Sequence, residues 1–193
     1  MGDDKKGFTL AELMVSSFLF LIILGIVLQF LFFSNTYWKS GEARMGVSLA
    51  ALTATERIRR EIRGAPYYSI TNNTSSSPKA ISFASSRDIE GNYSTDIGGD
   101  LQIQKQVIYY IPAGTRILRR IEFLTDSGEA LTVAELETYC DGSGQMISNC
   151  ITGFTAVEND TEQSIEITIE AEKYDGSNQN TMVLDSKLYF FGK

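Results

Sequence analysis

Residues 1–38 read MGDDKKGFTLAELMVSSFLFLIILGIVLQFLFFSNTYW, and from Leu13 to Trp38 they contain no charged side chain. The most apolar part, Leu13 to Phe33, is about 21 residues long and would rise roughly 31 Å as a helix, the thickness of a bilayer's hydrocarbon core. A secretory signal peptide has a short apolar core followed by a small-residue cleavage site. Neither occurs here. Tyr37 and Trp38 instead follow the run at the place of an interfacial aromatic belt. The stretch therefore predicts a membrane-spanning helix that stays in the protein. Glu12 stands at its edge, where a carboxylate needs either a partner or hydration in the headgroup layer.

Past the apolar run, Lys39 to Arg63 still reads as helix, ending where Gly64 can terminate it and Pro66 forbids continuation. Val47, Ala51, Ala54, Ile58 and Ile62 recur at helical spacing, with charged residues on the other faces, so this half is amphipathic. In ERIRREIR (56–63), Glu56 and Arg60 make a favourable i,i+4 pair and Glu61 dilutes the positive charge, so the cluster reads as a solvated face. Residues 67–78 (YYSITNNTSSSP) are polar and turn-rich, and they predict a loop.

From Lys79 onward the period becomes two. The expected strands are Ala80–Ala84, Leu101–Ile111, Thr115–Phe123, Leu131–Tyr139, Phe154–Glu158, Ser164–Glu172 and Thr181–Phe191. The clearest alternation is SIEITIEAE (164–172), with Ile165, Ile167, Ile169 and Ala171 on one face. Pro112-Ala113-Gly114 and Glu158-Asn159-Asp160 supply two hairpin turns. The fold class is α+β: a long N-terminal helix, transmembrane in its first half and amphipathic in its second, packed on an antiparallel β-sheet head.

The chain has 17 Lys+Arg against 24 Asp+Glu and no histidine, a formal charge of −7 with a pI near 4.7. The acidic balance disfavours broad attraction to nucleic-acid phosphates. The missing histidine removes the commonest general base, the usual Ser-His and Cys-His pairs and most zinc sites. A membrane-anchored hydrolase using Ser or Asp would be a different class of protein, but there is no G-x-S-x-G nucleophile elbow. No catalytic residue, cofactor or metal site is therefore expected.

The segment MGDDKKGFTLAELMV resembles the prepilin leader of type IV pilins and type II secretion pseudopilins. Those proteins carry a short polar leader ending in Gly, then Phe, with Glu at the fifth mature position. Here the matching residues are Gly7, Phe8 and Glu12. The resemblance implies that a membrane-embedded prepilin peptidase cuts after Gly7 and that Phe8 becomes N-methylated. It also implies that Glu12 serves filament assembly by pairing with the positively charged amine of Phe8 on a neighbouring subunit. Within the head, QVIYYIPAGTRILRR is similar to the hairpin of J-class minor pseudopilins and W-class minor pilins, through Val107, Tyr109, Ile111, Gly114, Leu118 and Arg119 or Arg120. CITGFTAVEND, SIEITIEAE and SKLYFFG resemble the ending of that family. The modest length favours the J class.

The organisation this implies is a cleaved leader at 1–7, a transmembrane or filament-core helix half at 8–38, and a periplasmic pilin-like head at 39–193 that includes helix 39–63. The chain would be a single-pass protein of the bacterial cytoplasmic membrane before joining a pilus or pseudopilus. Its partners would be prepilin peptidase, I- and K-class minor pseudopilins or their equivalents, and the major pilin or pseudopilin. The function implied is initiation or capping of a pseudopilus in type II protein secretion. The alternative is a minor type IV pilin acting in assembly, adhesion or DNA uptake.

That topology puts Cys140 and Cys150, which flank DGSGQMISN, outside the cytoplasm, where an even count predicts a disulfide. The acidic stretch 88–100 (DIEGNYSTDIGGD) lacks EF-hand spacing and reads as a solvated loop.

Overall fold

A computed structural model describes residues 9–74, 77–87, 92, 93, 95, 102–125, 128–174 and 179–190. The leader and most of the acidic stretch lie outside the described residues. The chain divides into two compact units, Met1–Glu42 and Ala43–Lys193.

The N-terminal helix α1 spans Leu10–Ile62. It closes with Gly64 N–H donating to the Glu61 carbonyl at 3.4 Å and Ala65 N–H to that of Ile62 at 2.9 Å. Pro66 then starts the next turn, Tyr67–Ser69, as the sequence predicts. The first unit contributes the apolar stretch of α1. The second contains the rest of the helix and the head.

In the head, α1 buries Ala43, Val47, Ala50, Ala51, Ala54, Ile58 and Ile62. All five residues of the predicted apolar stripe are among them. Four alanines in that set keep the helix surface narrow and let strands approach closely. The two isoleucines, each 0% exposed, bring about 2 kcal/mol apiece of apolar burial.

The strands are β1 Thr71–Asn73, β2 Lys79–Ser85, β3 Lys105–Ile111, β4 Leu118–Leu124, β5 Gln145–Ser148, β6 Ile151–Asn159, β7 Ser164–Tyr174 and β8 Gln179–Tyr189. They form two antiparallel sheets, not the one sheet expected: β1-β2-β3-β4-β5 and β6-β7-β8. Both predicted hairpins are present, β3 to β4 through Pro112-Ala113-Gly114 and β6 to β7 after Glu158-Asn159-Asp160. Both sheets share one core with the helix, which includes Ile58, Phe83, Tyr109, Phe154, Ile165 and Ile167.

One expected strand is a helix. Within residues 131–139, Val133–Tyr139 form α2, and the reason is local. Thr132 caps it: Glu135 N–H donates to Thr132 Oγ1 at 3.3 Å, while Thr132 N–H and hydroxyl donate to Glu135 Oε2, each at 2.8 Å. This reciprocal box overrides the strand preference of Thr132 and Val133. α2 then buries Leu136 against Ala80, Ile108 and Tyr110. β2 and β3 are thereby covered on both faces, with α1 on one side and α2 on the other. That is why VIYYI (107–111) is continuously apolar rather than alternating.

Two short strands arise where none was expected. β1 lies in the predicted loop 67–78 and pairs Thr71 with Ser82, and β5 follows α2 and pairs Arg120 with Gln145. Gly144, at φ +88°, makes the approach to β5 possible, since a Cβ there would stand 2.6 Å from the Arg120 carbonyl oxygen.

Candidate processing and assembly site at the start of the long helix

Gly7 and Phe8 lie outside the described residues, so the site begins at Thr9. Thr9 caps α1 by the same device that starts α2. Thr9 N–H and hydroxyl donate to Glu12 Oε2 at 2.9 and 3.1 Å, and Glu12 N–H donates back to Thr9 Oγ1 at 3.3 Å. Leu13 N–H closes the first backbone bond onto the Thr9 carbonyl at 3.2 Å. Two of the otherwise orphaned N–H groups of the first turn are satisfied in this way. The carboxylate also lies where the positive end of the helix dipole favours it. Sequence reasoning weighed Glu12 as bare, between a neighbour's amine and water, and missed Thr9. The signal was the four residues TLAE.

Downstream of the cap every large apolar residue from Leu13 to Phe33 is at least 41% exposed. Such a surface is stable only when lipid or other apolar helices cover it. Two of its hydroxyls are handled as an apolar medium demands. Ser17 Oγ donates to the Leu13 carbonyl at 2.8 Å, and Thr36 Oγ1 to that of Phe32 at 3.1 Å. The helix is long and apolar enough to cross a membrane. Tyr37 and Trp38 are 76% and 77% exposed at the end of the run, where amphipathic rings fit a headgroup layer.

In the head, the best-defined polar group is an ion-pair cluster that sequence reasoning did not foresee. Arg120, 8% exposed, reaches Glu61 of α1 at 2.9 Å and Glu122 at 2.7 Å, and Lys105 meets Glu122 at 2.9 Å. These residues come from α1, β3 and β4, so the cluster locks the helix to the sheet in one register. The hydrogen bond from Arg120 holds the Glu122 carboxyl down at about 2, with Lys105 adding to the effect against partial burial. Burial works against the Arg120 charge, but Glu122 and Glu61 more than offset it and raise its pKa. The predicted Glu56–Arg60 pair is replaced by Glu56–Arg59 and Arg57–Glu61, both at 3.5 Å.

Cys140 and Cys150 carry free thiols in this structure. Cys140 ends α2 with its Sγ donating to the Leu136 carbonyl at 3.2 Å. Burial, then Glu137 and Asp141, push its thiol up to about 12. Cys150 sits between β5 and β6 at φ +63°. The described residues contain no group of three or more His, Cys, Asp or Glu placed to hold a metal ion.

A family model described as the prokaryotic N-terminal methylation motif matches residues 3–28. The chain thus carries the N-terminal methylation motif of type IV pilin-like prepilins, and the matched segment contains Gly7, Phe8, Thr9 and Glu12. No curated protein and no solved structure matches the chain.

Proposed function

We propose that this chain is a minor pilin or pseudopilin, cut after Gly7, N-methylated on Phe8 and assembled with other pilin-like subunits. The observation that carries the reading is the methylation motif at residues 3–28, running without a break into an apolar helix able to cross a membrane. Prepilin processing takes place at the membrane and leaves the apolar helix in the product, and that helix is what a pilin-type filament packs at its centre. An α+β head of antiparallel strands on an amphipathic helix half supports the same reading.

In this proposal residues 1–7 are the leader, 8–38 the membrane and filament-core half, and 39–193 the periplasmic head. Glu12 keeps its Oε2 on Thr9 and offers Oε1 to the Phe8 amine of a neighbouring subunit. The hairpin of β3 and β4, with Val107, Tyr109, Ile111, Gly114 and Leu118, favours the J class of type II secretion pseudopilins, which initiates or caps a pseudopilus with I- and K-class partners. The second reading, a W-class minor type IV pilin, shares that hairpin.

Mass spectrometry of membrane-extracted protein tests the proposal. A chain beginning at N-methyl-Phe8 is expected, and Gly7→Ala should accumulate the uncut form. An intact Met1 terminus in a host with active prepilin peptidase would overturn it. Co-purification from the native membrane separates the two classes by the subunits recovered.

A further inference from the structure

β8 is the last strand of the sheet β6-β7-β8, and no described strand lies on its outer side. Its pairing with β7 runs one for one from Ser164↔Tyr189 to Tyr174↔Gln179 without a bulge. Phe190 N–H donates to the Gln163 carbonyl at 2.9 Å, which fixes the parity of the ladder. Even-numbered residues of β8 turn their N–H and C=O toward β7. By the alternation of an antiparallel strand, Thr181, Val183, Asp185, Lys187 and Tyr189 turn theirs outward.

The side chains of the same odd-numbered residues are exposed, Val183 at 56% and Tyr189 at 58%. An edge of 11 residues with neither proline nor bulge is the kind that recruits another strand. A lysine commonly blunts such an edge. Here Lys187 is matched by Asp185 two positions earlier, on the same face.

We propose that the outer edge of β8 is a self-complementary docking strand, through which two copies of this chain pair antiparallel about Ser186. Only odd-numbered residues have free backbone groups, so an incoming copy must set odd against odd. Centred on Ser186, Asp185 faces Lys187 of the second copy and Val183 faces its Tyr189, each pair occurring twice by symmetry. Centring one residue earlier sets Asp185 against Asp185, and one later sets Lys187 against Lys187. Of these three registers, charge selects the one centred on Ser186, which sets two Asp–Lys pairs opposite each other.

The existing contacts hold these side chains in place without exhausting them. Asp185 accepts from the Thr168 hydroxyl through Oδ1 at 2.7 Å, and Lys187 gives Glu162 one of its three ammonium protons at 2.5 Å. The inference stands on strand register and charge and does not rest on the pilin reading.

The test uses the full chain in detergent, with its oligomeric state followed across concentration by native mass spectrometry. Asp185→Lys and Lys187→Asp each set like charges opposite one another at two places and should raise the dimer dissociation constant about tenfold. The double variant should restore it. In a background of Cys140→Ser and Cys150→Ser, Ser186→Cys should form a disulfide-linked dimer, because Cα atoms of a facing non-hydrogen-bonded pair lie about 4.5 Å apart. Val183→Cys should not, since it faces Tyr189. A chain that is monomeric throughout overturns the proposal. So does a dimer indifferent to the single reversals, which would mean association through the apolar helix, or crosslinking at position 183 instead of 186.

Discussion

Glu12 is the residue at which a helix cap and a subunit contact would coincide, and two substitutions separate them. Glu12→Ala removes both contacts to the carboxylate, at 2.9 and 3.1 Å, together with any charge available to a neighbour. Thr9→Val removes only the hydroxyl, breaking the 3.1 and 3.3 Å bonds and leaving Thr9 N–H on Oε2 at 2.9 Å. Loss of a cap costs about 1 kcal/mol, which frays the first turn roughly fivefold. Loss of one partner from a poorly solvated ion pair costs about 3–5 kcal/mol, or upwards of two orders of magnitude in association. The assay is crosslinking of each variant to partner subunits in the membrane, with carbonate extraction to score insertion and mass to score cleavage. Thr9→Val should insert, be cut, and assemble with at most about a fivefold loss. Glu12→Ala should insert and be cut but fail to assemble. Equal defects in the two variants would refute the reasoning, since Glu12 would then act only as a cap. Normal assembly of Glu12→Ala would reduce it to a hydrated surface residue, and failed insertion would give its charge a role in topology.

Other consequences concern the head. Arg120→Met should destabilise it by about 2–4 kcal/mol in urea unfolding followed by circular dichroism, because Glu61 loses its 2.9 Å partner and keeps Arg57 at 3.5 Å, while Glu122 keeps Lys105. Adding Glu61→Leu should recover part of the loss, and a single-variant effect below about 0.5 kcal/mol would overturn the cluster's role. Glu122 titrates at about 2 in the folded head against an ordinary 4.5, so its contribution is complete above 4.5 and disappears as pH falls toward 2. With 35% of the side chain exposed, screening leaves about 1 kcal/mol of this, and Glu122→Gln should flatten that part of the acid unfolding curve. The Cys140 thiol, held up at about 12, should react with a maleimide at pH 8 well over tenfold more slowly in the native head than in the denatured chain. Labelling of denatured, unreduced protein decides the predicted bridge: no labelled thiol means that Cys140 and Cys150 are joined, and two labelled thiols mean that they are not.

Most of the head was legible because its elements carry long periodic patterns. The stripe Val47, Ala51, Ala54, Ile58, Ile62 and the alternation of SIEITIEAE both repeat often enough to fix which face is buried. All nine of those apolar positions are indeed buried, none more than 2% exposed. The division into two sheets was not legible. Strand pairing across sequence-distant segments leaves no periodic trace, and the short strands β1 and β5 consist of polar or mixed residues whose pairing is decided by neighbours. The Arg120 cluster was hidden for a related reason. Glu61, Lys105 and Glu122 are ordinary surface charges in sequence, and only the docking of α1 on β3 and β4 brings them round one buried guanidinium.

The two helix caps missed in the sequence were missed through one pattern. TLAE at 9–12 and TVAE at 132–135 are the same Thr-x-Ala-Glu box, and in both the glutamate returns to the threonine's own N–H and hydroxyl. At 132–135 the box decides secondary structure, turning an apparently β-prone segment into helix. At 9–12 the helix is secured by its apolar length, and the box changes the electrostatics instead. A carboxylate already holding two donors through Oε2 loses less on leaving water than a bare one, so Glu12 can stand at the membrane edge in a single subunit without a charged partner. Pairing with a neighbour would then be a gain added to a satisfied group, not the rescue of an unsatisfied one. Insertion and leader removal would proceed before any partner arrives. Association would draw on Oε1, the one oxygen of the carboxylate that the cap leaves free.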